Sequence, residues 1–172
     1  MKIVLLGYMG SGKTTVGKKL AKKLYLPFHD LDQYIEKREG ATIAEIFDTK
    51  GEIYFRKIEH KYLKEFLSET DKYVLSLGGG TPCYAGNMQV ILNEADVRSI
   101  YLQANIPTLK QRISKNKQKR PLIASLSDEQ MMEFVAKHIF ERRNFYEQAE
   151  HTVDVNGKDI ATIVAEIRIL LH

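Results

Sequence analysis

A chain of 172 residues, 44% apolar and 28% charged, fits one globular domain with a proper core and excludes an extended disordered chain. The net charge of +4 is too small to argue for a nucleic-acid partner and suits anionic small molecules equally well. A single cysteine, Cys83, excludes an internal disulfide and points to a reducing compartment.

The first apolar run, Ile3–Leu6, reads as a strand. It is far too short for a secretory core of about 7–15 residues or a membrane span of about 20, so a cytoplasmic protein with no membrane partner is expected. Directly after it stands GYMGSGKTT, Gly7 to Thr15, of the form G-x-x-x-x-G-K-[ST]. Glycines there let successive backbone N–H groups converge on a phosphate. The helix predicted over Lys13–Leu24 starts at the same point, so its positive dipole end faces that anion. Lys13 reaches the outer phosphates and the Thr14 hydroxyl suits Mg²⁺. Val16, Leu20 and Leu24 share one face, as packing on a sheet requires. This motif in a strand–loop–helix setting binds a nucleoside triphosphate.

Pro27–Asp30 reads as the second strand and Leu31–Glu39 as a helix. Asp30 and Asp32, two apart at a strand end, are able to point the same way, one holding an Mg²⁺-bound water and the other accepting a hydroxyl proton. Asp32 also suits a helix N-cap, and both roles are compatible. In the next predicted helix, Ile53–Leu67, Phe55, Ile58 and Tyr62 form a stripe beside Arg56, which Glu59 three residues on can orient toward a carboxylate. A solvated surface arginine is the alternative, and Phe47 and Phe55 are either core or pocket wall. The third strand, Tyr73–Leu77, ends in Gly78-Gly79-Gly80, whose entropic cost points to close approach of backbone N–H groups to a ligand. Cys83 beyond it reads as a packing residue, with a reactive thiol as the alternative.

Met88–Glu94 and Thr108–Ser114 read as helices around a fourth strand, Arg98–Leu102. From Lys110 to Arg120, six of eleven residues are basic, with no aromatic interleaved, and Pro121 follows. A flap closing over triphosphate fits this segment better than a nucleic-acid patch, and Arg120, held out of helix by Pro121, is the candidate for transition-state charge stabilisation. A long helix, Asp128–Tyr146, carries Arg142-Arg143 as a second anion clamp. A fifth strand, Thr152–Val155, and a helix, Asp159–Leu170, complete the chain.

Strand–helix alternation predicts an α/β fold with a parallel sheet covered on both faces and ligands beyond the carboxyl ends of the strands. Gly7, the Asp30/Asp32 pair and Gly78–Gly80 all follow strands directly. A guanine-reading switch is excluded, because Asn116-Lys117-Gln118-Lys119 ends in lysine where an aspartate must accept hydrogen bonds. A motor ATPase is disfavoured, because the third strand ends in glycines rather than an acidic pair.

GYMGSGKTT, DLDQYIEKREGATIAEIF, GEIYFRKIE, VLSLGGG, KRPLI and RRNFYEQA, in this order and spacing, resemble shikimate kinases along nearly the whole chain. The resemblance implies a single P-loop kinase domain over residues 1–172, a three-layer sandwich with a central five-stranded parallel sheet. It further implies a substrate-binding helical segment at about 32–62 and a mobile basic lid at about 112–125. The activity implied is transfer of the γ-phosphate of ATP to the 3-hydroxyl of shikimate by a cytoplasmic monomer. Carried across, the family pattern places ATP on Gly10, Ser11, Gly12, Lys13, Thr14 and Thr15, with Arg112 near the adenine and Arg120 bridging from the lid. It places Mg²⁺ on Thr14 and, through water, Asp30. Shikimate falls to Asp32, Arg56, Gly78, Gly79, Gly80 and Arg142. Arg142 stands four residues before Tyr146; Arg143 is the alternative, pointing about 100° away on the helix. Lys13, Asp32 and Arg120 carry the chemistry in this reading. A gluconate kinase is the nearest rival, but it usually follows its acidic pair with a His-Pro element that DLDQYIEK lacks. A nucleoside monophosphate kinase would want more arginines aimed at a second phosphate. A nucleotide-binding regulator without catalysis would not need Asp32, Arg56 and Arg120 together.

Overall fold

The computed structural model describes residues 1–117 and 123–172. One sheet contains β1 (Lys2–Leu6), β2 (Phe28–Asp30), β3 (Tyr73–Ser76), β4 (Val97–Gln103) and β5 (His151–Asp154), in the order β2-β3-β1-β4-β5. Every pairing is parallel. On β1, Ile3, Val4, Leu5 and Leu6 are all buried. A strand sends successive side chains to opposite faces, so burial of four in a row requires helices on both sides of the sheet. Those helices are α1 (Lys13–Leu24), α2 (Leu31–Glu39), α3 (Ile43–Glu69), α4 (Asn87–Asn93), α5 (Ile106–Ser114), α6 (Asp128–Tyr146) and α7 (Ile160–Leu170). The predicted five-stranded, three-layer α/β architecture is the one observed.

The chain leaves β1 toward β2 on one side and later passes back across β1 to β4 on the other. The order therefore reverses around β1 and opens a crevice at its carboxyl end, where ligands of such sheets bind. Both the loop after β1 and the glycines after β3 open into that crevice.

Strand limits differ from the sequence reading by a residue or two, as frayed ends do. The larger difference is α3, which starts ten residues before the predicted Ile53 and is broken at Gly51, whose φ is 82°. Its first turns bury little beyond Ile46, so they lack the apolar stripe that marks a helix in sequence. What starts them is a capping box: Thr42 accepts from the Glu45 N–H at 3.1 Å, and the Glu45 carboxylate accepts from the Thr42 N–H at 2.8 Å. Of the expected lid, residues 118–122 lie outside the described residues, Arg120 among them.

Thr42→Ala removes one half of this box and is expected to cost about 1 kcal/mol, with Thr42→Ser restoring most of it. Urea unfolding of the three proteins checks this; an unchanged midpoint for Thr42→Ala would mean that the box does not stabilise α3.

Candidate active site

The loop between β1 and α1 is built around its own backbone. Gly10 and Gly12 have φ of 83° and 95°, a region that disfavours any side chain, and Gly12 forms the N-cap of α1. The buried Lys13 ammonium donates to the Gly7 carbonyl at 2.7 Å and to the Tyr8 carbonyl at 3.1 Å. The Ser11 hydroxyl is buried with no hydrogen-bond partner among the described residues, a donor left for an anion in the cradle. Thr14 and Thr15 stand exposed on the first turn of α1. Arg112 of α5 crosses the loop, donating to the Gly10 carbonyl at 3.2 Å. A cleft of about 590 Å³ runs from here past Asp30 and Asp32 to Gly78 and Gly79.

The acidic pair is arranged differently from the sequence reading. β2 ends at Asp30 and α2 begins at Leu31, so strand alternation does not align the two carboxylates. Asp30 is the N-cap of α2, accepting from the Gln33 N–H at 3.1 Å, which leaves Asp32 uncommitted to capping. Burial pushes Asp32 up to about 6, helped by the negative charges of Asp30 and Glu59 and partly offset by Lys13. A carboxylate tuned toward neutral pH beside a phosphate loop is suited to accepting a proton.

The three glycines after β3 have ordinary backbone angles; what they provide is room for side chains of this chain. A Cβ at Gly78 would stand 3.1 Å from an Asp32 carboxylate oxygen, one at Gly79 3.5 Å from an Arg142 nitrogen, and one at Gly80 2.8 Å from an Arg56 nitrogen. The glycines thus leave room for these side chains as well as for any ligand approaching the backbone.

The Arg56 guanidinium lies against Gly80, 3.9 Å from the centroid of Tyr84, and donates to Glu59 at 2.9 Å. Glu59 is buried and its other oxygen accepts from the buried Thr81 hydroxyl at 2.8 Å, in a 3₁₀ turn over Thr81–Cys83. Asn87 then holds that turn through the Thr81 carbonyl at 2.9 Å. The solvated-arginine alternative does not describe Arg56. Phe55 is core, while Phe47 is half exposed with its ring 4.6 Å from that of Phe55. Cys83 sits near Arg142 and Arg56, and burial pushes its thiol up to about 11, so it packs as a neutral group.

Of the two neighbouring arginines on α6, Arg142 lies against Gly79 at the edge of the cleft and Arg143 does not. Arg143 is exposed and pairs with Glu147 along the helix. Arg142 faces the Tyr8 ring at 5.7 Å, and Tyr146 one turn on donates to the Gly79 carbonyl. Tyr8, Thr81 and Tyr84 were not picked out from sequence. Tyr8 stands at an unrestricted position of the loop motif, and Thr81 and Tyr84 act through contacts that no spacing announces.

A model of the shikimate kinase family matches residues 9–171. The chain belongs to the shikimate kinase family. A shikimate kinase of Flavobacterium johnsoniae is 50% identical to it over 166 residues, 96% of each chain. The shikimate kinase structure from Bacteroides thetaiotaomicron matches with a TM-score of 0.93 at 36% identity, covering 99% of this chain and 98% of that one. That of Acinetobacter baumannii, in complex with shikimate, gives 0.86 at 33% identity, covering 99% and 92%. Membership of the family makes this an ATP-dependent kinase acting on shikimate, on a P-loop kinase fold.

The raised Asp32 value has a consequence for stability. Folding favours its protonated form, so the contribution of Asp32 to stability falls as pH rises from about 4 to about 6. Asp32→Asn escapes that loss and is expected to be more stable than wild type at pH 7.5, by at most about 3 kcal/mol, with the advantage shrinking toward pH 4. Urea titrations at the two pH values check this; a difference that does not change with pH would mean that Asp32 titrates normally.

Proposed function

We propose that the cleft holds shikimate with its carboxylate between Arg56 and Arg142 and its 3-hydroxyl at Asp32, facing the γ-phosphate of ATP. The observation that carries this reading is the glycine segment Gly78–Gly80, on which Asp32, Arg142 and Arg56 lie in succession beside the phosphate loop. Two guanidinium groups at one end fit a carboxylate, and a carboxylate of raised pKa at the other fits a hydroxyl.

Gly10, Ser11, Gly12, Lys13, Thr14 and Thr15 bind the phosphates, with the Lys13 ammonium exchanging its loop carbonyls for phosphate oxygens. Thr14 and Asp30 are the residues for Mg²⁺, which when bound neutralises charge on the phosphates. Among the described residues no group of three or more His, Cys, Asp or Glu side chains could hold a metal, so an ion here draws its remaining ligands from phosphate and water. Arg112 lies against the loop where it can face the nucleotide, and Lys115 and Asn116 line the same cleft. This supports a lid over about 112–125 that moves to exclude water. Arg120, assigned to the transferring phosphoryl, rests on the family resemblance. The helical segment at about 32–62 supplies Asp32 and Arg56 to the acceptor side of one continuous domain.

We further infer a cytoplasmic monomer without nucleic-acid or membrane partners. Large exposed apolar residues such as Tyr25, Ile53, Phe140 and Ile169 are spread over different elements, and no described helix is long and apolar enough to cross a membrane.

Asp32→Asn is expected to leave ATP binding nearly unchanged and to lower phosphoryl transfer by at least ~10²-fold, the usual scale for loss of a general base. Wild-type turnover in that variant would remove Asp32 from the chemistry. Arg56→Ala should raise the KM for shikimate far more than that for ATP; equal rises would make Arg56 structural. A coupled ADP-release assay across shikimate, gluconate and nucleoside monophosphates should show turnover with shikimate alone, and preferential turnover of either alternative would overturn the proposed acceptor.

A further inference from the structure

His138, Arg142 and Tyr146 recur every four residues on α6 and so form one stripe of the helix. The outer two are both tethered. Tyr146 donates to the Gly79 carbonyl, and His138 exchanges a hydrogen bond through Nδ1 with the Tyr8 hydroxyl at 2.9 Å. Arg142 lies between them, with the Tyr8 ring 5.7 Å from its guanidinium carbon.

Tyr8 is 1% exposed, so its hydroxyl is desolvated and needs a partner. His138 provides one and is itself braced by Phe134, whose ring meets the imidazole edge-on at 4.3 Å. A phenyl ring at position 8 would fill the same space and keep its contacts with Arg142 and the His138 ring, but it would lose the hydrogen bond to α6. Meanwhile the Tyr8 carbonyl accepts from the Ser11 N–H and from Lys13 Nζ, both at 3.1 Å. One residue thus links the phosphate loop to the helix that carries Arg142.

We propose that the Tyr8–His138 hydrogen bond positions the Arg142 guanidinium for the substrate carboxylate and thereby sets the preference for a carboxylic acid over its neutral ester. Neither residue touches substrate; both act through Arg142. This inference rests on the reading of Arg142 as a carboxylate ligand. Losing the bond leaves Arg142 in place but removes one tether of the ring beneath it. The part of the binding energy that depends on aligned, charge-assisted hydrogen bonds then falls, while contacts to the hydroxyls and to ATP stay.

The test is the ratio of kcat/KM for shikimate to that for shikimate methyl ester in wild type, Tyr8→Phe, His138→Leu, His138→Gln, the double variant Tyr8→Phe/His138→Leu, and Arg142→Leu. Tyr8→Phe and His138→Leu should each lower the ratio about 3–10-fold, the scale of one hydrogen bond, with the KM for ATP within about twofold of wild type. The double variant should be no worse than either single one, and His138→Gln, which keeps a hydrogen-bonding partner, should keep the ratio. Arg142→Leu should bring the ratio close to that expected without carboxylate recognition. If Arg142→Leu collapses the ratio while Tyr8→Phe and His138→Leu lower both substrates equally, the pair is ordinary packing and the proposal fails, with Arg142 keeping its role. If Arg142→Leu leaves the ratio intact, the carboxylate reading and this proposal fall together.

Discussion

At Gly78, Gly79 and Gly80 the chain has no Cβ, and three side chains from three helices approach the places where those atoms would stand. Asp32 comes from α2, Arg56 from α3 and Arg142 from α6, and each lies against a different one of the glycines. The segment follows β3, which pairs in parallel with β1, so it runs beside the phosphate loop. Position and emptiness together bring a carboxylate and two guanidiniums to one glycine segment, whose first two residues line the nucleotide cleft. A methyl group at Gly80 would overlap the Arg56 fork outright, whereas one at Gly79 would only touch Arg142, so the constraint is tightest on the arginine that is held most firmly.

The two arginines are balanced in different ways. Arg56 has a buried counter-charge in Glu59, itself held by Thr81. That same carboxylate contributes to the raised value of Asp32, so one side chain both orients a cation and makes a neighbouring carboxylate more basic. The stability lost by ionising a buried Asp32 is the expected companion of a functional group held ready rather than relaxed. Arg142, by contrast, is lodged among the neutral tyrosines Tyr8 and Tyr146, and its charge is not cancelled locally.

Much of this was legible in the sequence because the motifs there are backbone requirements. GYMGSGKTT demands a strand before it and a helix after it, and both are present. The apolar periodicity located every strand and most helices, since burial on a sheet is what imposes that pattern. The first half of α3 escaped because it is exposed, and its signal is the four-residue box Thr42 to Glu45. Asp30 and Asp32 are legible as a pair, and the resemblance divides their roles, yet which of them caps α2 is not legible, because it depends on whether β2 stops before or after Leu31. Tyr8 and Tyr84 leave no trace, since an aromatic beside an arginine has no characteristic spacing, and the four-residue step from His138 to Arg142 does not by itself announce the bond to Tyr8. The choice between Arg142 and Arg143 turned on the helix face, which is a property of packing rather than of the dipeptide.

Charge at the acceptor end also bears on which substrate fits. Arg56 is matched by Glu59, so its fork supplies direction more than net charge. Among the described residues Arg142 has no acidic partner, which leaves about one uncompensated positive charge there. A carboxylate carries one negative charge and is planar, as is the Arg56 fork beside Tyr84 and Gly80. A phosphate monoester brings nearly two charges, spread over a tetrahedron. It would be left under-neutralised in a site where burial already resists the ionisation of Asp32. An uncharged polyol would face the opposite problem, leaving the Arg142 charge unmatched in the occupied cleft. A monoanionic acid bearing a hydroxyl is the acceptor that resolves both.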